Sequence, residues 1–134
     1  MDEEQLKHLP SNILGLARTE NVQQLASIYS AAEVFINPTY SDNFPTTNIE
    51  ALACGTPVIT YDTGGSPEAV DEQTGVVVPK GNHLKLVDSV EELSDSVNDI
   101  MTDKCRNRAL ACFNKEDRFF DYLKYYKQIL KSNV

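Results

Sequence analysis

Tryptophan is absent from this chain, histidine occurs twice and cysteine three times, and 12 basic residues face 20 acidic ones. Each shortage closes off a class of protein. His8 and His83 lie far from any cysteine or acidic cluster of ligand spacing, so no metal site is expected. Cys54, Cys105 and Cys112 form an odd set without a CxxC pair. They read as small buried thiols in a reducing compartment, with Cys105 and Cys112 spaced for one face of a helix. A formal net charge of −8 repels phosphate backbones and argues against a general nucleic-acid binder. The same field repels a nucleotide diphosphate, so such a ligand would need local backbone dipoles or a cation. No apolar run approaches the ~18 residues of a membrane helix. The opening MDEEQLKHLP lacks the pattern of a signal peptide and reads as a fragment boundary. Internal repeats, low-complexity tracts and flexible linkers are missing too.

What remains is an ordinary globular composition, 41% hydrophobic and 24% charged over 134 residues, enough for about one domain with a genuine core. Four short apolar runs read as strands: Asn12 to Ala17, Val34 to Asn37, Pro57 to Tyr61 and Gly75 to Val78. Largely β-branched and without polar alternation, they suit a parallel sheet covered on both faces, an α/β architecture. Asn21 and Gln24 form a capping pair for a helix with Val22, Leu25, Ile28, Tyr29 and Ala32 at helical spacing. A short helix follows the loop TYSDNFPTT and ends near Cys54, stopped by Gly55 and Pro57. One helical turn is expected around Pro67 to Val70. After Pro79 only helices are expected. The first is capped by Ser89 with Glu92 and carries the stripe Val90, Leu93, Val97, Ile100; the second covers about Lys104 to Phe113. A third follows Asn114, and its stripe of Phe119, Tyr122, Leu123, Tyr126, Ile129 and Leu130 reads as core packing.

The chemistry-bearing stretch runs from Val34 to Pro79. Loops beyond the carboxyl ends of parallel strands are where open α/β sheets bind ligands. One such loop delivers Asp42, Asn43, Phe44, Pro45, Thr46 and Thr47 to a helix N-terminus, whose free N–H groups and partial positive charge suit a phosphate. Asp42 and Glu50 flank that cradle, and carboxylates accept hydrogen bonds from the hydroxyls of a ribose or sugar ring. Plainer readings stand beside this one. Thr47 and Glu50 fit a capping box, Asp42 fits a solvated loop carboxylate, and Glu68 and Asp71-Glu72 fit surface charge. Gly55, Gly64, Gly65 and Gly75 read as turn and cap residues.

The run DNFPTTNIEALACGTPVITYDTGGSPE, preceded by YSAAEVFINP, resembles the signature of retaining glycosyltransferases of family four, which have the two-domain GT-B architecture. The shared features are two acids separated by seven residues, the Glu50-Ala51-Leu52-Ala53-Cys54-Gly55-Thr56-Pro57-Val58-Ile59 segment, and the Gly64-Gly65-Ser66-Pro67-Glu68 loop. The resemblance covers about residues 13 to 80, and the helical tail loosely. It implies that Glu50 holds the donor ribose and Asp42, where most members carry Glu, contacts the donor sugar. It further implies that Asn43 and Phe44 offer backbone amides to the sugar, that Thr46 and Thr47 sit by the diphosphate, and that Leu16, Ala17 and Arg18 lie near the base.

On that resemblance the whole chain, 1–134, is expected to be one truncated donor-nucleotide-binding domain, Rossmann-like, with an α/β part over 1–80 and a helical tail over 81–134. The partner ligand is a nucleotide sugar, as substrate, with no cofactor and no metal. On the same resemblance, the family's N-terminal acceptor domain and the first strands of the donor domain, with their diphosphate-neutralising cations, are expected to be missing from these residues. The parent is expected to be a hexosyltransferase-type enzyme of glycan biosynthesis, cytoplasmic, with peripheral membrane association left open. The chain alone is expected to be inactive. Exposed sheet edges point to either a rearranged pairing or a strand-exchanged homodimer. The other functional class is a non-catalytic remnant or interaction module that keeps the fold and loses the nucleotide.

Overall fold

The structure is a computed structural model and describes residues 6–16 and 18–132. Helix α1 (Val22–Ala31) opens where predicted: the Asn21 side chain accepts from the Gln24 N–H at 2.8 Å. The reciprocal bond is shifted by one residue, since the Gln24 side chain accepts from the N–H of Glu20 rather than of Asn21. Strand β1 (Phe35–Asn37) leads through the polar loop into α2 (Thr46–Ala53). Strand β2 (Val58–Tyr61), a 3-10 turn (Ser66–Ala69) and strand β3 (Gly75–Val78) follow. The remainder is α3 (His83–Ser94), α4 (Asp99–Phe113) and α5 (Lys115–Ser132).

The three strands form one parallel sheet in the order β1-β2-β3, with Phe35 opposite Val58 and Val58 opposite Gly75. Every residue of the central strand β2 is buried, as continuous apolar β-branched sequence predicts for a sheet covered on both sides. Its side chains alternate between two cores. Val58 joins Tyr29, Ala51, Leu52, Ala69, Val70, Cys105 and Ala109 beneath α1, α2 and α4. Ile59 and Tyr61 join Val78 and Leu93 beneath α3. The α/β class read from the sequence is thus the class observed.

Four details differ from the expectations. Asn12 to Leu16 is irregular rather than a strand, so among the described residues the sheet has three strands and not about four; Ala17 lies outside the described residues. The Ile13 N–H closes a turn onto the Pro10 carbonyl at 2.9 Å, and Gly15 weakens any strand there. Leu14 is left 85% exposed. Second, α3 starts six residues before Ser89. Asn82 caps it by accepting from the Lys85 N–H at 3.0 Å, while Ser89 is buried mid-helix, its Oγ without a partner among the described residues.

Third, the stripe Val90, Leu93, Val97, Ile100 does not lie on one helix. Asn98 begins α4 by accepting from the Met101 N–H at 3.0 Å, which leaves Leu93 buried and Ile100 exposed. Fourth, the aromatic stripe of α5 is not core: that helix has no buried residue, and Phe119, Tyr122, Leu123, Tyr126, Ile129 and Leu130 all lie exposed. Periodicity marks a face that wants a partner, and the described residues supply none.

Candidate functional site

The carboxyl ends of β1 and β2 are stitched together by hydroxyls. Thr60 donates to the Asn37 carbonyl at 3.0 Å and Thr63 to the Thr39 carbonyl at 2.9 Å. Just beyond, Asn48 is fully buried on α2. It accepts from the Asn37 side-chain amide at 2.8 Å and donates to the Ser66 carbonyl at 3.3 Å, tying strand, helix and 3-10 turn into one unit. The loop between β1 and α2 is therefore anchored at its base on three sides.

Within that loop Asp42 bends back on its own backbone, its Oδ1 accepting from the Phe44 N–H at 3.0 Å. The Asn43 carbonyl accepts from the Gly65 N–H at 2.9 Å. Two glycines make the approach sterically possible. A Cβ on Gly64, whose φ is +50°, would fall 1.9 Å from the Asp42 carbonyl, and one on Gly65 would fall 2.2 Å from the Asn43 carbonyl. The turn reading of these glycines holds, and they have a second duty: they let the Gly-Gly loop lie flat against the Asp42–Asn43 backbone. Phe44 sits at the surface with its ring 6.0 Å from that of Phe113 at the end of α4.

Helix α2 begins without a side-chain cap. Its N-cap is Pro45, so Thr46 and Thr47, both exposed, are the first two helical residues. The capping-box reading of Thr47 with Glu50 is overturned by this: Thr47 stands inside the helix and the cap has no side-chain oxygen to offer. An uncapped N-terminus keeps its N–H groups and dipole directed outward beside Asn43 and Phe44. Glu50, a turn further on, is half-buried, and its Oε2 accepts from the Tyr29 hydroxyl at 3.3 Å across the α1–α2 contact. The two carboxylates are thus held by different elements, Asp42 by its own loop and Glu50 by α1. Burial, and then the nearby Glu50 charge, push the Tyr29 phenol up to about 12. A groove of about 310 Å³ runs alongside, lined by Val22, Leu25, Ala26, Tyr29, Glu50, Ala53 and Cys54.

Among the described residues no hydrogen bond or ion pair joins Arg18 to the Asp42–Glu50 segment; Arg18 and Leu16 are exposed in the irregular stretch, and Ala17 lies outside the described residues. Sequence reasoning missed Asn48, Tyr29, Phe113 and Arg108. For Asn48 a signal existed, a polar amide on the inward face of a short apolar helix. The others depend on contacts between distant segments.

Arg108 on α4 donates to the carbonyls of Glu68, Ala69 and Val70 at 3.0, 2.6 and 3.4 Å and pairs with Asp71 at 2.7 Å. It clamps the end of the Gly-Gly-Ser-Pro-Glu loop from behind. Asp71 is accordingly not mere surface charge. Desolvation would raise its pKa, but bonds from the Thr74 hydroxyl, the Gln73 N–H and Arg108 together outweigh this and hold the carboxyl below its ordinary value.

A parallel sheet covered on both faces, with carboxyl-edge loops converging on an uncapped helix, is a Rossmann-like α/β arrangement. The model of the family Glycosyl transferases group 1 matches residues 2–96, and the chain belongs to that family. It is 43% identical over 72 residues to the D-inositol 3-phosphate glycosyltransferase of Mycobacteroides abscessus, a match covering 53% of this chain and 16% of that protein. It is 48% identical over 56 residues to the corresponding protein of Segniliparus rotundus, covering 41% and 12%. In structure it is similar to the sucrose-phosphate synthase of Thermosynechococcus elongatus, with a TM-score of 0.69 and 33% identity over 81% of this chain and 28% of that one. The matched stretches span only 16%, 12% and 28% of these three proteins' own lengths.

Proposed function

We propose that this chain is the donor-nucleotide-binding part of a glycosyltransferase that moves a hexosyl group from a nucleotide sugar to an acceptor with retention of configuration. The observation that carries the reading is the loop from β1 into the uncapped start of α2, pressed into shape by Gly64 and Gly65 with Glu50 one turn beyond. The Thr46 and Thr47 end of α2 receives the diphosphate, Asn43 and Phe44 the donor sugar through their backbone, Asp42 its hydroxyls, and Glu50 the ribose. Leu16 and Arg18 are assigned to the base side in this reading, and Ala17, expected with them, lies outside the described residues. The relatives' names support a glycosyl-transfer setting: one is a D-inositol 3-phosphate glycosyltransferase and the other a sucrose-phosphate synthase.

The chain by itself binds donor without turning it over. Glycosyl transfer needs an acceptor domain and positive groups against the developing diphosphate charge, and electrostatic stabilisation of that kind usually contributes most to catalysis. No metal or resident cofactor enters this scheme. The site belongs to a larger parent protein, cytoplasmic in this reading. The test is an amide NMR titration of the chain with UDP, GDP and ADP, repeated on Glu50→Ala. Shifts clustered at Asp42 to Glu50 and lost in the variant support a working donor site and name its base. A folded chain that shows none at millimolar nucleotide supports the interaction-module reading instead.

A further inference from the structure

We propose that Tyr29 is a positioning residue for Glu50, fixing one carboxylate oxygen so that the other faces the ribose hydroxyls of the donor. This rests on the donor-site reading above and assigns a role to a residue that touches no ligand in it. Tyr29 lies in the last turn of α1, more than twenty residues before Glu50 in the chain, and is nine-tenths buried. Its ring stands edge-on to Phe35 at 5.3 Å and 79°. Its carbonyl accepts from the Thr56 hydroxyl at 2.6 Å, which pins the end of α1 to the connection between α2 and β2. Ring and backbone are both held, so the hydroxyl is delivered to a defined point.

Glu50 needs such a point. The other side chains lining its groove are Val22, Leu25, Ala26, Ala53 and Cys54, none of which offers a carboxylate a strong hydrogen bond. With only that wall beside it, the side chain would turn to water. The Tyr29 hydroxyl engages Oε2, and Oε1 has no partner among the described residues. At 3.3 Å the bond is longer than the usual O–H···O distance, so it biases the carboxylate rather than locking it. The phenol's high pKa keeps the hydroxyl a donor throughout the neutral range. A bond of this kind supports a modest gain in affinity, selective for ligands that present the diol.

The experiment uses the full chain and whichever of UDP, GDP and ADP it binds, together with the 2′,3′-dideoxy form of the same nucleotide. Tyr29→Phe keeps the ring on Phe35 and removes only the hydroxyl. It is expected to weaken the ribonucleotide by about fivefold and leave the dideoxy form unchanged. In a Glu50→Gln background, adding Tyr29→Phe is expected to cost nothing further. Equal weakening of both ligands means a structural role and overturns the proposal, as does unchanged affinity for both. A wild-type chain that binds none of the three nucleotides overturns it together with the donor-site reading, which separates the two failures.

Discussion

The central strand β2 and the last helix α5 carry comparably strong apolar signals and meet opposite fates. Val58, Ile59 and Tyr61 disappear into two cores, whereas α5, richer in aromatics than any other segment, buries nothing. The difference lies in the neighbours. β2 is flanked by a strand on each edge and by helices on each face, so the hydrophobic effect acts on every side chain. An amphipathic stripe states that a face is apolar and leaves open which surface will cover it. The same contrast separates α4 from α5: Cys105 and Ala109 reach the core through small side chains, while large ones a few turns later remain at the surface. In this family member the candidate site is built on the packed side of that divide.

Substitutions should follow the contrast. The largest effect is expected from Leu52→Ala, which empties a fully buried position between α2 and the sheet. It should cost about 3 kcal/mol in chemical denaturation; a loss comparable to that of a surface change would erase the distinction between the two regions. Next comes Gly64→Ala, which forces a Cβ against the Asp42 carbonyl at a positive φ. About 2 kcal/mol of destabilisation is expected, and amide shifts should spread over Asp42 to Phe44, since the loop must move away. Arg108→Ala should cost about 1 to 2 kcal/mol at neutral pH by freeing the carbonyls of Glu68 to Val70.

Its partner Asp71 supplies a pH test. The folded pKa lies below the unfolded value, so its contribution is present above about pH 4 and is lost as pH falls through the folded value. Asp71→Asn should flatten that acid limb of the stability profile. At the alkaline end the sign reverses. The Tyr29 phenol, raised to about 12, contributes stability that is full below pH 10 and is lost between 10 and 12, a loss absent from Tyr29→Phe. The smallest effect is expected on α5, where Tyr126→Ser should change stability by less than about 0.5 kcal/mol. A larger loss would show that this face is covered in solution and would break the comparison.

Much of the fold was readable because local signals were redundant. Asn21, the limits of α2 with Gly55 and Pro57 behind it, and the β-branched runs of β2 and β3 each combine a start, a periodicity and a stop. Expectations failed where one signal stood alone. Ser89 with Glu92 matched a capping spacing, but Asn82 had already started the helix. Asn12 to Leu16 matched a strand in composition but pairs with no strand among the described residues. At the candidate site, a loop carrying Asp42, Asn43 and Phe44 into a helix start near Thr46 and Thr47 was legible. That Glu50 answers to Tyr29, that Asp42 answers to the Phe44 N–H, and that Arg108 braces the glycine loop were not.

The sequence by itself determined the α/β class, the positions of most elements and the family, since these depend on residues close together in the chain. Only the tertiary structure decided which apolar faces are buried, which carboxylate meets which donor, and how closely Gly64 and Gly65 lie against Asp42 and Asn43. The physical reason is that burial and hydrogen bonding are properties of pairs, and a pair distant in sequence is specified only once the chain has folded.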